Sequence, residues 1–278
     1  MDLLQILILA LVQGAAELLP VSSSAHVIVA EKLMGLDPTT PQMTLLLVML
    51  HTGTMFAVIV YFWRSWRASN FSSMQAFRSN ALQIALATAV TGVVGLTLLQ
   101  LIKHMAGDAS HFEIEQLFGN ARLMAGALAA AGILIIASSR IRSRDGDPTQ
   151  RTAAWIGAVQ GLCLPFRGFS RSGATISTAL VLGVGRRRAE EFSFALAVVL
   201  TPAVILKEAH RLYSSHAVAV KDAGALWQLA GPSVLGMVFS FLAGLLALRW
   251  LSRWLEQGRW HFFGAYCLLA SLLVLWVG

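Results

Sequence analysis

The sequence predicts an all-α integral membrane protein in which six transmembrane helices and two re-entrant helical hairpins form inverted-topology repeats. Three observations lead to this fold class: the composition, the lengths of the apolar runs and the positions of the basic residues. Of the 278 residues, 56% are hydrophobic and 13% are charged, against roughly 45–50% and 25% in soluble globular proteins. The apolar runs are continuous rather than alternating, which excludes a transmembrane β-barrel.

Six apolar segments have the length of a transmembrane helix. About 20 residues of α-helix cross a hydrocarbon core of about 30 Å, and six segments come close to that length: 42–63, 80–102, 117–138, 191–210, 226–247 and 260–278. Two further apolar segments, 3–30 and 154–185, are interrupted by proline and by ionisable residues. They therefore predict re-entrant hairpins, each of which returns to the side from which it entered.

The basic residues support this topology. With both hairpins re-entrant, thirteen Lys and Arg residues fall in cytoplasmic loops and five fall in outer loops, which is the excess that the positive-inside rule requires. The formal charge of +7 is thus spread over short loops, and it forms no basic face for nucleic acid. The two cysteines, Cys163 and Cys267, lie in apolar segments and predict packing rather than a disulfide or a metal site.

The predicted topology divides the chain into two inverted repeats within one membrane domain. The first repeat covers 1–138, with hairpin 3–30 and three spans, and the second covers 154–278, with hairpin 154–185 and three spans. The charged segment 139–153 is the predicted cytoplasmic linker. Inverted repeats place functional sites near the bilayer midplane, where the broken helices of the two halves meet.

The first hairpin carries polar residues that are costly at membrane depth. Gln13 and Glu17 are spaced i, i+4, so they share one face of a helix, and Pro20 is expected to end that helix. The serines that follow can cap the next helix, whose free N–H groups then favour an anion. The candidate residues of this hairpin are Gln13, Glu17, Ser22, Ser23, Ser24 and His26.

The second hairpin carries small residues and hydroxyls around one arginine. Arg171 can hold phosphate oxygens bidentately, and the hydroxyls beside it are those of Ser170, Ser172 and Thr175. Carboxylate, imidazole, hydroxyl and guanidinium groups together predict phosphoryl transfer on an anionic substrate held near the membrane. The structural alternative is a carboxyl that only bonds a neighbouring helix, but the polar neighbours of Glu17 favour a functional site.

These motifs resemble those of the BacA/UppP undecaprenyl pyrophosphate phosphatases. The stretch QGAAELLPVSSSAH is similar to the first motif of that family, GFSRSGATIS to the second, and GVGRRRAEEFSFALAV to a downstream segment. The resemblance implies hydrolysis of undecaprenyl pyrophosphate to undecaprenyl phosphate and inorganic phosphate, which recycles the lipid carrier of envelope glycans. It also implies a multi-pass protein among the lipids of the bacterial inner membrane, a periplasmic active site, a divalent cation (Mg²⁺ or Ca²⁺), and competition by bacitracin for the substrate.

The resemblance implies a role for each matched residue. Glu17, Ser23, His26 and Arg171 correspond to the catalytic residues, and Glu17 with Gln13 corresponds to a metal site. Substrate contacts are implied for Gln13, Ser22, Ser24, Ser170, Ser172 and Thr175. Two positions depart from the family: Gln13 stands where many members have Glu, and Arg167 occupies a place that is usually apolar. Gln13 removes one anionic ligand for the cation, which predicts a lower metal affinity.

The sequence leaves several alternatives open. Either Ser23 or His26 is the nucleophile, or His26 activates water, and Arg167 is either a second phosphate contact or a charge at a loop edge. The chain is a monomer or a homodimer packed through apolar faces. A transporter or flippase of undecaprenyl phosphate or another anionic lipid is the alternative function, because broken helices in inverted repeats are also a transporter architecture. Gly53, in the first predicted span, predicts close helix packing.

Overall fold

The computed structural model describes residues 2–37, 40–105, 120–141, 144–166, 168–214 and 223–277. Within these residues the chain forms ten α-helices and one isolated β-bridge, between Gly146 and Val184. The helices are α1 (Leu3–Leu18), α2 (Ser23–Leu33), α3 (Pro41–Ser69), α4 (Met74–Met105), α5 (Ala121–Ser139), α6 (Gln150–Leu162), α7 (Arg171–Val181), α8 (Arg186–Ser214), α9 (Ala223–Glu256) and α10 (His261–Val277). The prediction of an all-helical protein is confirmed.

Four of the described helices contain a segment that is long and apolar enough to cross a membrane. These segments, each of which includes all or most of one predicted span, are Gln42–Ser69 in α3, Met74–Met105, Ala121–Ser139, and Ala230–Glu256 in α9. The predicted span 191–210 lies within α8, which has 29 residues, and 260–278 corresponds to α10, which has 17. The chain is therefore a multi-pass membrane protein.

Both predicted hairpins consist of a broken pair of helices. α1 and α2 contact each other and are separated by Leu19–Ser22, and α6 and α7 contact each other and are separated by 163–170. Pro20 and Pro165 lie in these breaks because proline has no N–H to continue a helix. α1 is the longest of the four helices with 16 residues, or about 24 Å at the usual helical rise, which is shorter than a hydrocarbon core of about 30 Å.

The chain folds into two compact units. Unit 1 comprises Met1–Leu18, Ser23–Trp63 and Ala197–Trp250, and unit 2 comprises Leu19–Ser22, Arg64–Leu196 and Leu251–Gly278. In unit 1, buried apolar side chains of α1, α2 and α3 form one cluster: Ile6, Leu9, Ala10, Val27, Met43, Leu46 and Leu50. The members from α1 recur at helical spacing, so α1 turns one apolar stripe to this cluster.

Unit 2 is built on close helix contacts at small residues. α4 contacts α6, and α5 contacts both α7 and α10. A Cβ added to Gly132 would lie 2.8 Å from the carbonyl oxygen of Gly264, and one added to Gly157 would lie 2.3 Å from that of Ala87. Small residues let helix backbones approach in this way inside a membrane, where apolar side chains gain little by leaving lipid.

Candidate active site

Glu17 is the centre of a hydrogen-bonded group in unit 1. It lies in the last turn of α1, one turn after Gln13, as the i, i+4 spacing predicts. The Gln13 amide donates to Glu17 Oε2 (3.3 Å), and the Ser23 hydroxyl donates to the same oxygen (2.5 Å). A hydroxyl-to-carboxylate distance of 2.5 Å marks a strong, charge-assisted hydrogen bond. The carboxylate is therefore placed to take the Ser23 proton.

His51, on α3, is a neighbour of Glu17 that the sequence analysis missed. Its Nε2 lies 3.8 Å from Glu17 Oε2, and its Nδ1 lies 2.8 Å from the carbonyl oxygen of Leu47. The side chains of His51 and Glu17 are 35% and 17% exposed, so a small ligand can reach the pair. The signal that could have indicated His51 is its position within an apolar span, where an ionisable side chain is costly.

The remaining candidates of the first hairpin are close to Ser23 in the sequence. α2 begins at Ser23, and Ser24 and His26 lie half-buried in its first turn. Ser22 is buried and has a φ of 66°, which makes it the one residue other than glycine with a positive φ among those described. This left-handed conformation costs about 1–3 kcal/mol. The chain thus makes a strained turn directly before the first helical residue of α2.

Arg171 is the first residue of α7, in unit 2. Ser170 caps this helix, because its side chain accepts a hydrogen bond from the backbone N–H of Gly173 (3.2 Å). Gly168, in the preceding loop, has a φ of 104°, and a Cβ added there would lie 2.5 Å from the carbonyl oxygen of Met124. Since only glycine fits this conformation and this space, the loop fixes the place where α7 and its half-buried arginine begin.

The hydroxyls of Ser172 and Thr175 bond to protein groups. Ser172 donates to the carbonyl oxygen of Leu19 (3.3 Å), and Thr175 Oγ1 lies 2.8 Å from the carbonyl oxygen of Arg171. Thr175 Oγ1 also lies 2.6 Å from the hydroxyl of Ser193, and both of these side chains are buried. Ser193, which the sequence analysis also missed, therefore ties α8 to the helix that begins with the arginine.

The break in the first hairpin lies against the N-terminus of α7 within unit 2. A Cβ added to Gly173 would lie 3.2 Å from Pro20 Cβ, and the Cys267 thiol donates to the carbonyl oxygen of Pro20 (3.1 Å). Together with the bond from Ser172, these contacts fix the turn Leu19–Ser22 against the second motif. The serine and proline turn of one motif and the helix start of the other thus belong to one packed region.

The donors for a metal ion are few. In the part of the chain that the structure describes, no group of three or more His, Cys, Asp or Glu side chains is placed to hold a metal. Glu17 and His51 supply two such side chains, and Gln13 supplies an amide. Arg167, which the sequence analysis considered as a second phosphate contact, lies outside the described residues.

The chain is similar to known proteins along nearly its whole length. A family model described as bacitracin resistance protein BacA matches residues 6–273. The chain is 66% identical over 278 residues to undecaprenyl-diphosphatase 2 of Acinetobacter baylyi, covering 99% of this chain and 98% of that protein. It is 32% identical over 301 residues to undecaprenyl-diphosphatase of Desulfosudis oleivorans, covering 100% of this chain and 99% of that protein. It is 30% identical over 292 residues to undecaprenyl-diphosphatase of Korarchaeum cryptofilum, covering 99% of each protein. The chain therefore belongs to the BacA family.

Proposed function

We propose that this protein hydrolyses undecaprenyl pyrophosphate to undecaprenyl phosphate and inorganic phosphate, and so recycles the lipid carrier of envelope glycans. The observation that carries the proposal is the 2.5 Å hydrogen bond from the Ser23 hydroxyl to Glu17 Oε2. This bond pairs a nucleophile with a base in an apolar part of the chain. The names of the relatives support the choice of substrate.

The proposed chemistry has two steps. In the first, Ser23 Oγ attacks the terminal phosphorus, its proton moves to Glu17, and the bond from phosphorus to the bridging oxygen breaks as His26 gives that oxygen a proton. Undecaprenyl phosphate leaves, and the phosphoryl group stays on Ser23. In the second step water attacks this ester and gives a proton to His26, Glu17 returns its proton to Ser23, and inorganic phosphate leaves.

Charge neutralisation is the task that we assign to Arg171. Its guanidinium can bind two oxygens of the diphosphate at once, and phosphoryl transfer depends mainly on such positioning and charge stabilisation. The Ser170 hydroxyl accepts from a backbone N–H and keeps its own hydrogen to donate to the substrate. Ser172 and Thr175 bond to protein groups, which supports a role in holding the start of α7. Ser22 and Ser24 stay predicted substrate contacts.

A divalent cation completes the proposed site. The carboxylate of Glu17 and an amide oxygen of Gln13 are hard oxygen donors, which suit Mg²⁺ or Ca²⁺. The chemistry that such an ion supplies when bound is neutralisation of the negative charge on the diphosphate. Because Gln13 brings no charge, the substrate's own oxygens must contribute to the affinity.

We also propose the finer topology. The chain crosses the inner membrane of a bacterium six times, and α1 with α2 and α6 with α7 form re-entrant hairpins in inverted repeats, 1–138 and 154–278. The shortness of these four helices and the distribution of basic residues support this arrangement, with the linker 139–153 in the cytoplasm and the active site facing the periplasm. Competition by bacitracin for the substrate and a homodimer belong to the same proposal.

Phosphate release from undecaprenyl pyrophosphate by the purified full-length protein tests the function. The assay is run with a chelator and then with Mg²⁺ or Ca²⁺. Glu17→Gln keeps the shape of the side chain but removes the base, and we expect turnover to fall by about 10²–10⁴-fold. Asp145→Asn changes an exposed carboxylate and serves as the matched control, with turnover unchanged. Normal turnover in Glu17→Gln would contradict the proposed role of the carboxylate.

Transport is the alternative outcome of this experiment. Broken helices can also carry a lipid phosphate headgroup across a bilayer. Wild-type protein that binds undecaprenyl pyrophosphate without releasing phosphate, and that moves undecaprenyl phosphate between the leaflets of vesicles, would be a transporter rather than a phosphatase.

A further inference from the structure

The ring of His51 is held in one orientation by its own helix. Nδ1 lies 2.8 Å from the carbonyl oxygen of Leu47, and a carbonyl oxygen only accepts hydrogen bonds. Nδ1 therefore carries a hydrogen, and in the neutral ring the lone pair is on Nε2. This bond from one ring nitrogen to a backbone carbonyl is the arrangement that orients a histidine whose other nitrogen binds a metal.

The lone pair of Nε2 lies near an acceptor. Glu17 Oε2 is 3.8 Å away, which is too long for a hydrogen bond. That oxygen already accepts from Ser23 and Gln13. Two oppositely directed lone pairs at this distance repel each other, and either a proton on Nε2 or a cation bound between the two atoms removes the repulsion. Two ligands of one ion, each at about 2.0–2.2 Å, lie at most about 4.4 Å apart, so a single cation can reach both atoms.

We propose that His51 Nε2 is a ligand of the divalent cation together with Glu17, and that it shifts the preference of the site from Mg²⁺ and Ca²⁺ towards Mn²⁺, Co²⁺ or Zn²⁺. This inference rests on the proposed function, since the diphosphate of the substrate supplies the remaining ligands. Imidazole suits transition metals, whereas Mg²⁺ and Ca²⁺ prefer oxygen. The amide of Gln13 brings no charge that would favour the harder ions.

The nitrogen of the imidazole gives the proposal a spectroscopic test. Mn²⁺ is added to the full-length protein in detergent with methylenediphosphonate, a diphosphate that cannot be hydrolysed, and electron spin echo modulation from ¹⁴N bound to Mn²⁺ is recorded. We expect this modulation in the wild type and its loss in His51→Gln. His261→Gln removes an exposed imidazole on α10, and as the matched control it is expected to keep the modulation.

Metal affinity provides a second measurement that separates a ligand from a structural residue. We expect His51→Gln to bind Mn²⁺ roughly 10–100-fold more weakly, which is the loss of affinity typical when a residue that holds a metal site in place is replaced. The same variant should bind Mg²⁺ as well as the wild type, because the amide oxygen of Gln is a hard donor. Melting temperatures of both variants show whether each is folded.

Three results would overturn the proposal. Bound Mn²⁺ without nitrogen modulation in the wild type would mean that the ring faces Glu17 as a protonated partner instead. Modulation that persists in His51→Gln would place the nitrogen elsewhere, and an equal loss of Mn²⁺ and Mg²⁺ affinity would indicate a structural role. Phosphate release by the wild type is measured in parallel, so the failure of this inference and the failure of the proposed function are distinguishable.

Discussion

Gly53 brings α3 and α9 into backbone contact in unit 1. A Cβ added at this position would lie 2.3 Å from the carbonyl oxygen of Met237 and 3.1 Å from the backbone nitrogen of Phe241. Both neighbours are backbone atoms of one helix, so neither can rotate away as a side chain would. Gly53→Ala must therefore push the two helices apart, by about 1 Å if an ordinary carbon-to-oxygen contact is to be restored.

The cost of this shift follows from two opposing effects. Overfilling a packed interior typically costs about 1–3 kcal/mol, whereas replacing glycine by alanine inside a helix returns about 0.8–1.0 kcal/mol. The expected net loss is about 0–2 kcal/mol relative to the wild type, and about 1–3 kcal/mol relative to a Gly→Ala replacement that meets no clash. For a chain of this size each kcal/mol corresponds to about 2–4 °C in Tm. His51 is two residues away on the same helix, so phosphate release should fall as well.

Thermal unfolding in detergent measures this loss, and Gly126 provides the control. A Cβ added at Gly126, in the helix α5, meets no atom within 4 Å, so Gly126→Ala gains helix propensity without a clash and should melt at or above the wild-type temperature. If Gly53→Ala is as stable as Gly126→Ala, the close approach of α3 and α9 is wrong, and so is the positioning of His51 that depends on it.

Three further predictions concern individual contacts. Ser23→Ala and Glu17→Gln should each lower the kcat of phosphate release by about 10²–10⁴-fold. The double variant should have a kcat little lower than that of either single variant, since the two residues act as one unit. If the two reductions in kcat multiply instead, the residues have separate roles. Ser193→Ala should cost about 0.5–1.5 kcal/mol, seen as a lower Tm, because it removes the 2.6 Å hydrogen bond between α7 and α8 while Thr175 keeps its bond to the carbonyl oxygen of Arg171; an unchanged Tm would mean that the bond is dispensable. Glu191→Ala should lower the free energy of unfolding by about 3–5 kcal/mol, because the side chain of Glu191 is 3% exposed and pairs with two arginines. Asp147→Ala is the control, since this side chain is 77% exposed and its loss should cost less than about 1 kcal/mol. Equal Tm values for the two variants would contradict the burial of Glu191.

The helical class and the break in the first hairpin were predictable because their causes are local, whereas the inverted repeats stay a prediction. Pro20 lacks the N–H that a continuing helix needs, and α1 ends two residues before it. Gln13 and Glu17 meet on one face because they are one turn apart. Gly53 indicated close packing, and the contact of its helix with Met237 confirms it. Each of these inferences needs only the residues of one segment.

The parts of the structure that the sequence did not predict depend on contacts between distant segments. His51 lies beside Glu17 although 34 positions separate the two in the chain. The one signal for His51 within its apolar span is that an ionisable side chain is costly in lipid. The sequence analysis used the basic residues only to predict topology, and it did not predict that Arg187 and Arg188, in the first turn of α8, both pair with Glu191, which also accepts from Ser65. The spacing of the arginines and the carboxylate is visible in the sequence, whereas the burial of the carboxylate is set by tertiary packing.

The strained turn before α2 has a consequence for which substitutions the chain can accept. Ser22 has a left-handed backbone and Ser23 has a helical one, so two adjacent serines are constrained for different reasons. As far as folding is concerned, position 22 should accept glycine or asparagine, which enter that conformation readily, and should reject valine and isoleucine, whose branched side chains clash there. Position 23 should reject all of these, because none of them brings a hydroxyl to the carboxylate of Glu17. The same amino acid thus serves the backbone at one position and the chemistry at the next, and natural variation among relatives should differ sharply between the two.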